Sequence, residues 1–199
     1  MKHLIVYAKR PLPGYAKTRL AAGIGVEEAA GVYARLLYGY LLDLLHAGLK
    51  DTRIELAVAS LEDVPFFAAA FPELLVRPQV VGDLGVRMAA SFAQAFAAGA
   101  ERAVLTGSDI PGLNGDIIQA AFTALENDPA VIGPAHDGGY YLLGLRAPGA
   151  PVFGGIAWST GAVRAQTEAL IRAAGLTLSY LPALTDLDTL EDYATWRGT

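Results

Sequence analysis

Positively charged side chains are concentrated in one short segment near the N-terminus, over residues 9–19. The four are Lys9, Arg10, Lys17 and Arg19. Two prolines stiffen this segment and Gly14 loosens it. Fixed cations together with free backbone N–H groups are what a polyphosphate needs. An exposed loop with solvated charges is the alternative. The apolar run Leu4–Ala8 directly before the segment favours phosphate binding, because loops after buried strands carry ligand sites.

Acidic side chains occur in two further segments. Gly107-Ser108-Asp109 follows the apolar run Ala103–Thr106, so we expect Ser108 beside a phosphate and Asp109 facing the ligand. Mg²⁺ on a nucleotide takes one or two carboxylates. A turn around Asp109 is the alternative. Thr185–Asp192 is rich in acids, and Thr189 with Asp192 predicts a capping box. One acid suffices to cap a helix, so several favour a metal ligand as well.

Glycine accompanies charge in two other places. Gly82 permits close backbone approach, Asp83 is a candidate helix cap, and Arg87 lies one turn further on, so these three are candidate nucleotide contacts. A plain helix start is the alternative. Residues 133–141 contain His136 and Asp137, both candidate acid–base groups. A lone histidine is more often structural, so Asp137 is the preferred candidate.

A candidate acceptor pocket follows from the glycines and aromatic residues of the last third. Its members are Gly138, Gly139, Tyr140, Trp158, Ser159 and Thr160. Ser159 or Thr160 is also expected to cap the helix that follows.

Short apolar runs alternate with helical patterns along the chain, which predicts an α/β fold. The predicted strands are His3–Ala8, Arg53–Ser60, Ala103–Thr106, Ala130–Gly133, Tyr140–Leu145 and Leu176–Leu181. The predicted helices are Glu27–His46, Leu84–Ala98, Ile117–Glu126, Thr160–Ala174 and Leu190–Trp196. Strands separated by helices form a mostly parallel sheet covered on both faces, which binds ligands beyond the carboxyl ends of its strands.

Composition limits the classes of protein that remain. The 199 residues are 53% hydrophobic and 18% charged, which predicts a single globular domain over residues 1–199. No cysteine is present, so disulfides and thiolate metal sites are excluded. A net charge of −5 argues against a nucleic-acid partner. No apolar run reaches the length of a membrane span, so we expect a cytoplasmic protein without a membrane partner. The oligomeric state does not follow from the sequence.

Six ordered motifs resemble those of one family over nearly the whole chain, from Tyr7 to Asp192. The motifs are Lys-x-Pro-x-Pro-Gly-x-x-Lys-Thr-Arg-Leu, Gly-Asp-Leu-Gly-x-Arg-Met, Gly-Ser-Asp-x-Pro, Asp-Gly-Gly-Tyr-Tyr-Leu-Leu-Gly, Trp-Ser-Thr and Asp-Leu-Asp-Thr-x-x-Asp. The family is DUF2064, also called selenodomain-associated transferase 1. The resemblance implies a GT-A fold, the three-layer α/β/α sandwich of nucleotide-diphospho-sugar transferases, with a mostly parallel mixed sheet.

More distantly, the chain is similar to molybdenum-cofactor nucleotidyltransferases, phospholactate guanylyltransferase and CMP-sugar-acid synthetases. Matched motif to motif, this implies that Asp109 and Asp188 hold Mg²⁺ or Mn²⁺. It also implies that Lys9, Lys17 and Arg19 bind a triphosphate.

Three functions follow from these motifs. The preferred hypothesis is metal-dependent nucleotidyl transfer from an NTP to an anionic small molecule, with Lys17 and Arg19 holding the pyrophosphate. The second is glycosyl transfer from a nucleotide-sugar, with Asp137 as the base. The third is a nucleotide-binding module without catalysis. The sequence does not reveal the base preference or the acceptor.

Overall fold

The computed structural model describes residues 1–146 and 152–197. Its strands are β1 (Lys2–Ala8), β2 (Thr52–Val58), β3 (Leu75–Pro78), β4 (Arg102–Thr106), β5 (Ala130–Pro134), β6 (Tyr140–Leu145) and β7 (Leu178–Tyr180). Its α-helices are α1 (Thr18–Ile24), α2 (Val26–His46), α3 (Val64–Ala70), α4 (Leu84–Ala97), α5 (Gly115–Ala124), α6 (Val163–Ala173) and α7 (Leu190–Arg197). A 3₁₀ turn at Leu61–Asp63 precedes α3.

All seven strands belong to one sheet, in the order β3-β2-β1-β4-β6-β5-β7. Strand β6 runs antiparallel to β4 and to β5, and the other neighbours pair in parallel. The predicted mostly parallel mixed sheet is therefore confirmed. Strands β1 and β4 lie side by side with Val6 opposite Thr106, so their carboxyl ends meet at one edge.

Alternating side chains of the central strands bury themselves in two separate cores. On β1, Leu4 and Val6 pack with apolar side chains of α2, α3 and α5, whereas Ile5 packs with those of α4 and α6. This alternation places helices on both faces of the sheet, because successive side chains of a strand point to opposite faces. The α/β/α sandwich predicted from the sequence is confirmed.

A third cluster joins the two ends of the chain. Leu20 of α1 and Val32 of α2 pack against Leu187 and against Tyr193 of α7. The Tyr193 hydroxyl also donates a hydrogen bond to Glu28 Oε1 at 2.9 Å. The C-terminal acidic segment is thereby held against the N-terminal basic segment.

The predicted caps have mixed outcomes. Asp83 caps α4, because its Oδ1 accepts from Val86 N at 2.8 Å. The prediction that Ser159 or Thr160 caps α6 is wrong. This helix begins at Val163 behind Ala162, without a side-chain cap. Thr160 Oγ1 instead donates to Ala157 O at 2.7 Å and so stabilises a turn before the helix.

Three short elements were not predicted from the sequence. Helices α1 and α3 have seven residues each and β3 has four, which is too short for a clear periodic pattern. No helix within the described ranges is long and apolar enough to cross a bilayer.

Candidate active site

A cavity of about 360 Å³ lies beyond the carboxyl ends of β1 and β4. Residues of β1, α1, α2 and α4 line it, together with residues that follow β1, β2, β3 and β4 and with Asp188 just before α7. The side chains with polar or charged groups are Tyr7, Lys9, Lys17, Thr18, Arg19, Tyr33, Gln79, Arg87, Ser108, Asp109 and Asp188. The sequence-predicted basic and acidic segments therefore meet at one cavity.

Tyr33 of α2 ties together the two segments that form the floor of the cavity. Its hydroxyl accepts a hydrogen bond from Lys9 N at 2.9 Å and bonds the Ser108 hydroxyl at 3.1 Å. Burial raises the pKa of Tyr33 to about 12, so the hydroxyl stays protonated at neutral pH. Sequence reasoning missed this residue, because a tyrosine among apolar helix positions is typical of a core.

Lys17 is the centre of the site. Its Nζ lies 2.7 Å from Asp109 Oδ2 and 2.7 Å from Asp188 Oδ1. It also donates to the Asp109 carbonyl oxygen at 3.5 Å. The Lys17 side chain is 3% exposed, against 40% and 42% for the two aspartates. Burial lowers the pKa of Lys17, but the two carboxylates outweigh it and raise that pKa above its ordinary value.

Asp188 is positioned by the start of α7. Its backbone N–H donates to Asp192 Oδ2 at 3.1 Å, and the Thr189 N–H donates to the same oxygen at 2.8 Å. Asp192 N in turn donates to Thr189 Oγ1 at 3.2 Å, so the predicted capping box is present. Because Asp192 serves the helix end, Asp188 is left to face the cavity. Arg19 Nη1 lies 4.0 Å from Asp188 Oδ2 and is mostly exposed.

Asp186 adds a further acid that the sequence did not single out. Burial, followed by the charges of Asp109, Asp137 and Asp188, raises the pKa of Asp186 to about 7. Its Oδ1 is buried without a hydrogen-bond partner among the described residues. The influence of three neighbouring carboxylates identifies this corner as strongly electronegative.

At the far end of the cavity, two hydrogen bonds hold the side-chain amide of Gln79 in place. Gln79 Nε2 donates to Ala57 O at 2.8 Å, and Gln79 Oε1 accepts from Arg87 Nη1 at 3.1 Å. Arg87 is therefore held over the end of β3 by Gln79. Sequence reasoning singled out Arg87 but missed Gln79, whose role depends on the pairing of β2 with β3.

The predicted acceptor residues form a separate neighbourhood that does not line the cavity. Asp137 Oδ1 accepts from Gly139 N at 2.8 Å, so this carboxylate closes its own turn. A Cβ on Gly138 would lie 2.2 Å from Gly161 O, which packs this turn against the segment of Ser159 and Thr160. Tyr140 packs in the core beside α6, and burial raises its pKa to about 12.

Trp158 lies close to the start of α4. A Cβ on Gly85 would come within 2.8 Å of the Trp158 ring, so only glycine admits this contact. Trp158 thus connects the predicted acceptor residues with the helix that carries Arg87.

The remaining predicted phosphate contacts lie outside the cavity lining. The Arg10 guanidinium stacks over the Phe66 ring at 4.4 Å, and Gly14 has a φ of 75° in the turn that follows. Gly82 and Asp83 lie at the start of α4, where Asp83 is used as the cap. The structure therefore groups Lys9, Lys17, Arg19, Arg87 and Ser108 with the two acids, and leaves Arg10, Gly14, Gly82 and Asp83 at its edge.

The donor set fits a divalent cation. Within residues 1–146 and 152–197, no group of three or more His, Cys, Asp or Glu side chains could hold a metal ion by itself. Two carboxylates completed by phosphate oxygens and water are nevertheless the usual set for Mg²⁺. Asp109 and Asp188 already share one cation, the Lys17 ammonium, and both remain accessible from the cavity.

The family model described as "Uncharacterized protein conserved in bacteria (DUF2064)" matches residues 44–160 of the chain. The chain belongs to the DUF2064 family. It is 34% identical to a Desulfovibrio desulfuricans G20 protein of known structure, named as a candidate nucleotide-diphospho-sugar transferase, with a TM-score of 0.90 over 98% of this chain and 85% of that one. No curated protein matches the chain in sequence.

Two more distant structures share the fold of this DUF2064 protein. A nucleotidyl transferase from Methanothermobacter has a TM-score of 0.61 and 17% identity, over 100% of this chain and 96% of that one. Rv0371c from Mycobacterium tuberculosis H37Rv, in complex with manganese, has a TM-score of 0.55 and 17% identity, over 98% and 96%. The fold of the chain is therefore one found in nucleotide-using transferases.

Proposed function

We propose that this DUF2064 protein is a metal-dependent nucleotidyltransferase that moves a nucleotidyl group from an NTP to an anionic small molecule. The observation that carries the proposal is the ion cluster of Lys17, Asp109 and Asp188 at the meeting point of β1 and β4. This cluster combines carboxylates for a cation with cationic side chains for phosphates in a single cavity. The structural similarity to a nucleotidyl transferase supports the same class of reaction.

In this proposal, residues at opposite ends of the cavity bind different parts of the nucleotide. Lys9, Lys17 and Arg19 bind the phosphates at the acidic end, and the Ser108 hydroxyl, held by Tyr33, donates a further hydrogen bond. Gln79 and Arg87 lie at the other end and bind the nucleoside. Because most of the charged side chains lie at one end of the cavity, the phosphates bind there and the nucleoside extends towards the other end.

The transfer itself needs no general base from the protein. A phosphate or carboxylate oxygen of the acceptor forms a bond to the α-phosphorus, and the bond from that phosphorus to the bridging oxygen of the β-phosphate breaks. Pyrophosphate leaves with the electron pair, and Lys17 and Arg19 stabilise its charge. Because the acceptor oxygen is already ionised, no proton has to be removed. The use of Asp137 within its own turn agrees with this route.

Asp109 and Asp188 would hold the divalent cation, which when bound neutralises charge on the phosphates. The manganese in the Rv0371c structure supports the use of a divalent ion by proteins of this fold. The two carboxylates orient the phosphate end of the nucleotide, and the capping box of α7 keeps Asp188 turned towards the cavity.

Glycosyl transfer from a nucleotide-sugar is the second candidate, because the 34%-identical relative is named as a candidate nucleotide-diphospho-sugar transferase. A hydroxyl acceptor would then require a base, and Asp137 is the available carboxylate beside the proposed acceptor residues. In this case Asp137→Asn should abolish sugar transfer while nucleotide binding survives. Nucleotidyl transfer predicts that Asp137→Asn keeps its activity within a few-fold of the wild type.

The test is a thermal-unfolding panel of NTPs and nucleotide-sugars, each with Mn²⁺, Mg²⁺ or EDTA. A ligand at a hundredfold excess over its Kd stabilises the folded state by about 2.7 kcal/mol. Nucleotidyl transfer predicts a metal-dependent rise of the melting temperature with one NTP. A rise with nucleotide-sugars alone would replace this proposal with glycosyl transfer, and no rise with any ligand would refute both.

A further inference from the structure

The Lys17 ammonium is engaged by acceptors of the protein itself in this structure. An ammonium has three N–H donors. Lys17 Nζ has three acceptors within reach, which are Asp188 Oδ1, Asp109 Oδ2 and the Asp109 carbonyl oxygen. Two carboxylates at 2.7 Å and a carbonyl oxygen at 3.5 Å thus compete with a nucleotide phosphate for this ammonium. Its proposed role in phosphate binding requires it to move.

The ammonium also lies where a shared cation would lie. Both carboxylates are 2.7 Å from Nζ, so one positive charge bridges two negative ones. The carboxylates are 40% and 42% exposed, whereas the lysine side chain is 3% exposed. An ion entering from the cavity thus reaches the acids directly and meets the lysine as its competitor. Arg19 neutralises little of the charge on Asp188, because the Arg19 side chain is 74% exposed and its Nη1 lies 4.0 Å from Asp188 Oδ2.

The balance of charges favours displacement of Lys17 from the two aspartates only when a divalent cation and a polyphosphate bind together. A buried ammonium that leaves its carboxylates needs new negative partners, because an unpaired buried charge is costly. A divalent cation alone gives the carboxylates a better counter-ion but offers the lysine nothing. A polyphosphate alone offers the lysine new partners but leaves the two carboxylates facing its charge. Cation and polyphosphate together satisfy every group.

We propose that Lys17 is an exchangeable counter-ion, which holds the position between Asp109 and Asp188 until a divalent cation replaces it and then moves to the phosphates. This rests on the proposed function, since it assigns the incoming ligand as a metal–polyphosphate complex. The flexible four-carbon stem of lysine permits the movement without a change of the backbone. The exchange makes the free protein a weak binder of divalent cations alone.

The experiment measures Mn²⁺ binding by electron paramagnetic resonance without any nucleotide. We expect weak binding to the wild type and at least tenfold tighter binding to Lys17→Met, because the competing ammonium is gone. Lys50→Met is the matched control for net charge, since Lys50 lies just before β2 at the amino ends of the strands. This variant should bind Mn²⁺ as the wild type does. In Lys17→Met/Asp188→Asn the gained affinity should disappear.

Equal Mn²⁺ affinity of the wild type and a folded Lys17→Met would overturn the exchange. Should Lys17→Met fail to fold, ¹⁵N-lysine NMR of the wild type replaces it. The Lys17 ammonium signal should move with Mg²⁺ plus pyrophosphate and stay in place with Mg²⁺ alone. A signal that stays in place in both cases contradicts the proposal.

The failure of the exchange and the failure of the proposed function are distinguishable. A metal-dependent response to an NTP with an unchanged Lys17→Met leaves the function standing and removes the exchange. A gain of Mn²⁺ affinity in Lys17→Met without a response to any nucleotide keeps the exchangeable site and removes the function.

Discussion

At the scale of single residues, the acidic corner of the cavity is the feature with the largest physical consequence. Asp186 lies where burial and the charges of Asp109, Asp137 and Asp188 all disfavour its ionised form. Its Oδ1 has no hydrogen-bond partner to offset this among the described residues. A group of this kind reduces stability whenever it is ionised, so its protonation state should be visible in the stability of the protein.

Raising the pH should destabilise the protein through Asp186. The pKa of Asp186 is raised from 3.8 to about 7 in the folded protein, so the folded state binds this proton more tightly than the unfolded state. The stabilisation that comes from binding this proton is complete below pH 3.8 and is lost as the pH rises through about 7. In metal-free buffer, the free energy of unfolding should fall over this range through Asp186 by at most about 4 kcal/mol.

Urea denaturation of the wild type and Asp186→Asn between pH 4 and pH 8 measures this contribution. The variant should gain stability relative to the wild type as the pH rises. Glu73→Gln, which removes an exposed acid away from the cavity, should follow the wild type. Parallel pH profiles of Asp186→Asn and the wild type would show that folding does not raise the pKa of Asp186.

At the scale of elements, α2 acts on the site through one side chain. The Tyr33 hydroxyl connects the segment after β1 with the segment after β4. Tyr33→Phe leaves the Lys9 N–H and the Ser108 hydroxyl without this partner, which should cost about 1–3 kcal/mol of stability. Because both segments line the cavity, nucleotide affinity should fall as well.

Tyr38→Phe is the control, since Tyr38 is on the same helix and its hydroxyl makes no hydrogen bond among the described residues. Urea denaturation and nucleotide titration should show a loss for Tyr33→Phe and almost none for Tyr38→Phe. Equal effects of the two changes would mean that the Tyr33 hydroxyl does not organise the cavity.

The elements that could be predicted from the sequence are those with a strong local signal. Helix α2 has a clear apolar periodicity, and the caps at Asp83 and at Thr189 with Asp192 have side chains of the right type and spacing. The start of α6 was predicted three residues too early, because Ser159 and Thr160 have the right chemistry but belong to a preceding turn. Local composition alone could not distinguish the two.

At the scale of the whole molecule, the site depends on contacts between distant parts of the chain. Lys17 and Asp188 are 171 positions apart, and no spacing rule relates them. The sequence analysis assigned both residues to one site only through the more distant resemblance to nucleotidyltransferases and CMP-sugar-acid synthetases. Asp186, Tyr33 and Gln79 were missed because their roles arise from burial and strand pairing, which single-residue patterns do not contain.

The measurement that tests the central claim most directly is nucleotide binding by Asp188→Asn, with Glu191→Gln as its control. Glu191 is an exposed acid three positions further on, in the first turn of α7. Titration calorimetry with Mn²⁺ and the NTP selected by the thermal panel should show at least a tenfold loss of affinity for Asp188→Asn and none for Glu191→Gln. In EDTA the wild type and Asp188→Asn should bind equally weakly. Unchanged metal-dependent binding by a folded Asp188→Asn would contradict the assignment of this cluster as the cation and nucleotide site.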